Sequence, residues 1–111
     1  MNLPEEDATR SVDTLLEASG RFETQLAESG VAQAHDWMYA LREVLYDLRR
    51  FNISLVKLFN TEDIAKEAPM LLQDIVNLSL YEIPPHVELH MKELEESLAP
   101  IVEEAEPPSE Q

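Results

Sequence analysis

Residues 32–59, AQAHDWMYALREVLYDLRRFNISLVKLF, carry the pattern on which the fold turns. Ala34, Met38, Leu41, Leu45, Leu48, Asn52, Leu55 and Phe59 recur in alternating steps of four and three. A second stripe, Trp37, Val44, Phe51 and Leu58, runs beside them at intervals of seven. At the turn angle of an α-helix the two stripes merge into one apolar face about 160° wide. So wide a face needs more than one neighbour, and the spacing predicts a central helix over residues 32–59.

Toward the N-terminus, Ala8, Val12, Leu15, Phe22 and Leu26 repeat in the same rhythm, with Ser19 filling the gap. This seam predicts a first helix over residues 5–29. Gly30 stands where a C-terminal cap belongs, whereas Gly20 inside the helix costs about 1 kcal/mol against alanine.

Toward the C-terminus, Asn60 and Thr61 supply a stop and a fresh N-cap. Residues 62–83 carry Ile64, Ala68, Leu71, Leu72, Ile75, Val76, Leu78 and Leu80 at helical spacing. Pro69 is expected in the first turn of that helix, with residues 61–67 forming a short turn before it. Pro84 and Pro85 are expected to end this element and begin the next. The last helix then shows Val87, Met91, Leu94, Leu98 and Ile101 in steps of four and three, and Pro100 should kink or end it. Residues 103–111, EEAEPPSEQ, read as a disordered acidic tail. The whole predicts an all-α, up-and-down antiparallel four-helix bundle over residues 1–102, open to completion or extension by homodimerisation.

Composition removes several functions. The chain of 111 residues has no cysteine, so disulfides, thiolate metal sites and cysteine nucleophiles are excluded. Its N-terminus lacks the basic and apolar blocks of a secretory signal, and no apolar run nears the roughly 18 residues of a membrane span. A cytoplasmic protein is expected. The net charge of −15 is unevenly placed, with −5 in residues 1–30, +1 in 31–60 and −11 in 61–111. Such a charge opposes binding to nucleic acid or to an anionic membrane.

No glycine-rich phosphate loop or serine nucleophile elbow occurs, and neither catalysis nor a cofactor is expected. The stretch PPHVELHMKELEE, residues 84–96, sets His86 and His90 one turn apart, with Glu93 and Ser97 continuing their face. Two imidazoles and a carboxylate so spaced can ligate zinc or nickel. That face projects 80–100° (roughly) from the apolar stripe of Val87, Met91 and Leu94, so a solvated flank is expected and no metal is assigned. A phosphoryl-accepting histidine of the phosphotransfer family would precede a lysine and a small residue by three and four positions. None of His35, His86 and His90 does so. Glu43 and Asp47 share one turn of the central helix on its polar side, without a second acidic pair at matching spacing, and read as solvated.

Partner contact is the reading that remains. Tyr39, Arg42, Tyr46, Arg49, Arg50, Ile53 and Lys57 share one side of the central helix, away from its main stripe. Arginine and tyrosine on a common face are enriched where proteins bind each other. Asn52, polar at a seam position, is the residue expected to fix register or association state. The chain is therefore expected to be a small, acidic, non-catalytic protein–protein interaction module, such as an adaptor, regulatory subunit or assembly chaperone. Its partner would be another protein or a second copy. Two alternatives are a metal-binding or phosphoryl-accepting bundle using His86 and His90, and an acidic mimic of nucleic acid.

Overall fold

Gly30 closes the first helix through the one conformation among the described residues that requires glycine. In the computed structural model, which describes residues 3–105, α1 spans Glu5–Glu28 and Gly30 has φ of 90°. The Gly30 amide donates to the Ala27 carbonyl (3.1 Å) and the Val31 amide to that of Leu26 (3.0 Å), which satisfies two orphan carbonyls at the helix end. After this turn α2 spans Ala34–Phe59, within two residues of the helix its stripes predict.

The pairing of α1 with α2 is antiparallel and fixed by polar ties along its length. The Asn60 side chain accepts from the Leu3 amide (2.6 Å) and donates to the Leu3 carbonyl (2.7 Å). Farther along, Asn52 Nδ2 donates to the Ala8 carbonyl (3.0 Å), Arg49 pairs with Asp13 (2.9 Å) and Arg42 with Glu23 (2.7 Å). Asn52, the seam residue expected to fix register, thus bonds across the α1–α2 seam as one of several polar ties.

The four-helix expectation is corrected at the proline pair. α3, Ile64–Asn77, passes through a π-helical turn at Leu78–Glu82 directly into α4, Ile83–Ala105. The result is three helices packed antiparallel, the last one long and bent. In an ordinary α-helix the rings of Pro84 and Pro85 would meet the carbonyls four residues back, those of Leu80 and Tyr81. Widening the turn just before them displaces those carbonyls, so the chain bends instead of breaking.

Two smaller expectations are corrected as well. Helix α3 begins at Ile64 behind Asp63, so Thr61 is not its cap and Pro69 lies inside the helix. Thr61 instead meets the Glu67 carboxylate through its hydroxyl. Pro100 does not stop α4, which makes residues 103–105 helical; the rest of the expected tail, 106–111, lies outside the described residues.

Helix α2 is the centre: α1 packs along one side of it and the α3–α4 helix along the other. The molecule measures 61 × 31 × 20 Å, with a radius of gyration of 18.8 Å. A compact domain of about 100 residues would have roughly 13 Å. An elongated form encloses little, and the buried apolar side chains are few and mostly small: Val12, Ala34, Met38, Ala40, Val56 and Leu78. Among the described residues no helix is long and apolar enough to cross a membrane.

Candidate functional site

The two sides of α2 meet their neighbours in opposite ways. On the α4 side the contact is polar and closed. The bend after the π turn lays the first turns of α4 against the middle of α2, and His86 and His90 point inward there. His90 is 7% exposed and Asp47 only 2%. The expectation of a solvated histidine flank is therefore corrected, as is that of a solvated Glu43–Asp47 pair. Angles along one helix fix which residues share a flank, but not which flank a neighbour takes. Here α4 offers α2 both its histidines and part of its apolar stripe.

Four side chains form the centre of this contact. His86 Nδ1 lies 2.5 Å from Asp47 Oδ2, and His86 Nε2 lies 3.3 Å from Glu43 Oε1. His90 Nε2 lies 3.1 Å from His86 Nε2 and 3.8 Å from Glu43 Oε1, while His90 Nδ1 lies 3.1 Å from Glu93 Oε1. At these distances His86 Nδ1 can donate to Asp47 and His90 Nδ1 to Glu93, and a proton between the two Nε2 atoms bridges the rings.

The hydrogen bond to Asp47 raises the His86 imidazole above its ordinary value; burial opposes the rise, and the Asp47 and Glu43 charges add to it. Around the cluster, Arg50 reaches Asp47 (3.4 Å) and Glu82 (2.8 Å), and Tyr39 stands edge-on to His90 with ring centres 5.6 Å apart. Farther along the same contact, Trp37 Nε1 donates to Ser97 Oγ (2.8 Å).

The seven residues expected as one contact face are divided between the two sides. Arg42 and Arg49 turn to acids of α1, Arg50 to Asp47 and Glu82, and Tyr39 to His90. Tyr46 and Lys57 are exposed and Ile53 is half-buried. The arginines therefore serve the chain's own packing. Arg42 and His35, by their hydrogen bonds, also hold the Glu23 carboxyl below its ordinary value.

Beside this contact, between α1 and α4, α2 faces an open apolar trough of about 630 Å³. Leu15 and Phe22 of α1 form one wall, Leu41 and Leu45 of α2 the floor, and Met91 of α4 the far edge. Leu15 is 52% exposed, Phe22 50% and Leu41 41%. These are seam residues of the helical repeats, and in a four-helix bundle they would be covered. Because α3 and α4 form one bent helix, no further helix among the described residues covers them.

Compared with models of known protein families, with curated proteins and with solved structures, the chain matches none.

Proposed function

We propose that this chain is a non-catalytic protein–protein interaction module whose trough receives an amphipathic helix with basic flanks from another protein. The observation that carries this reading is the trough itself, an apolar channel along α1 and α2 in the place of a missing fourth helix. Its wall runs from Leu15 to Gln25, about 15 Å of helix or three turns, a length suited to a short helical guest.

Charge selects the guest. A second copy would bring −15 against −15, while a cationic partner is steered toward the chain and held at its flanks. The apolar lining supplies affinity, and the net charge of the whole chain supplies the selection.

The test uses two designed helical peptides, each with leucine on one face and either lysine or glutamate on the flanks. The lysine peptide is expected to bind one to one and the glutamate peptide not to bind. Phe22→Ser and Leu41→Ser, neutral changes at half-exposed positions that spare the fold, should each weaken binding about tenfold or more. Binding that ignores both substitutions would refute the trough as the docking surface. A particle of twice the 12.7 kDa chain mass without peptide would assign the trough to a second copy instead.

A further inference from the structure

We propose that Glu43, His86 and His90 form a binding site for a divalent transition-metal ion such as zinc, joining α2 to α4. The three donor atoms, Glu43 Oε1, His86 Nε2 and His90 Nε2, all lie within 4.8 Å of one another. Their separations are 3.1, 3.3 and 3.8 Å. Zinc bonds imidazole nitrogen and carboxylate oxygen at about 2.0–2.2 Å, so neighbouring donors of a tetrahedral site stand about 3.3–3.5 Å apart. The three atoms already approximate one face of that tetrahedron. An ion at its centre needs only small side-chain adjustments and keeps a fourth position for water or another ligand.

The outer contacts strengthen the assignment. A histidine that binds metal through Nε2 characteristically gives its Nδ1 proton to a carboxylate, which fixes the tautomer and aims the ring. Both histidines have such a partner: Asp47 holds His86 Nδ1 at 2.5 Å, and Glu93 holds His90 Nδ1 at 3.1 Å. Glu93, expected from spacing as the third ligand, thus becomes the support of one, and Glu43 takes its place. Asp47 is buried and His90 nearly so, which fixes these rings more firmly than a surface pair would be fixed.

Donor chemistry sets the class of ion. Two imidazoles and one carboxylate suit zinc, nickel, cobalt and iron(II), whereas magnesium and calcium prefer oxygen ligands throughout. Without metal the same gap is bridged by a proton, since one imidazole must donate to the other. The ion replaces that proton, so His86 and His90 need no new partners beyond it.

The experiment uses the full chain made without a histidine tag, stripped with a chelator and titrated with zinc, cobalt or magnesium. Zinc is expected to bind at one equivalent per chain and raise the melting temperature. Cobalt should show the visible absorption of a four-coordinate ion, and magnesium should do neither. Glu43→Gln keeps side-chain size and should weaken zinc binding tenfold or more; Asp47→Asn, altering a positioning residue, should cost about 10–100-fold. Circular dichroism establishes that each variant is folded, and Glu43→Gln alone decides the matter if Asp47→Asn is not. Absence of stoichiometric zinc binding would overturn the site, as would full zinc affinity in folded Glu43→Gln. Equal binding of magnesium would likewise overturn it.

Discussion

The two flanks of α2 invert the usual relation between polarity and exposure. Toward α4, histidines and carboxylates meet in a helix contact that buries Asp47 and His90; toward α1 and the trough, leucines and a phenylalanine are left half bare. Buried polar groups and exposed apolar patches are the informative departures in a folded chain. In this chain both lie along one helix, and Met91 of α4, which follows His90, borders the apolar one. One flank of α2 is held by a specific polar constellation, and the other is the surface on which the proposed docking rests.

If the sealed flank carries stability, its loss should cost more than the loss of a larger side chain on the open flank. Asp47→Ala in chelator strips the buried acceptor from His86 and should destabilise by about 2–3 kcal/mol in urea unfolding. Partial exposure of His86 keeps the figure from being larger. Asn52→Ala, which cuts the tie to the Ala8 carbonyl, should cost about 1 kcal/mol by the same measurement. Phe22→Ala, on the open flank, should cost under about 1 kcal/mol, although a buried phenylalanine loses about 3–5. A reversed order, with Phe22→Ala the most damaging, would mean that the trough is core and the comparison false.

The smallest effect is one of pH, again on metal-free protein. The His86 value is raised on folding, so its pairing contributes fully below the unfolded value of about 6.5. The contribution then fades as pH rises through the higher folded value. Stability of the chelated protein should therefore decline over that window, and Asp47→Asn should remove most of the decline. A stability curve flat across the window would remove the proton bridge from the account.

Much of the scaffold is legible in the sequence because its cues are local. The heptad seams set α1 and α2 to within two residues, and Gly30 sits where only glycine ends a helix well. The third element is not legible in the same way. A proline pair read locally means a break, yet one widened turn at Leu78–Glu82 lets the helix run on. That decision depends on α2 holding both halves of the bent helix, which no local spacing encodes. The site was half visible: two matched pairs, Glu43 with Asp47 and His86 with His90, each one turn apart. Spacing within each helix shows the pairs, but only packing across the α2–α4 contact shows that they face each other. The basic and tyrosine positions on α2 were legible as a pattern, while their division between two neighbours was not.

The most direct test of the polar flank is a proton–nitrogen NMR spectrum of the histidine rings, recorded before and after one equivalent of zinc. His35, exposed and bonded only to Glu23, serves as the internal reference. His86 and His90 are expected to become Nδ1-protonated rings with metal-shifted Nε2 signals, while His35 is unchanged. Zinc shifting His35 as much as the other two, or shifting none of the three, would contradict the metal site.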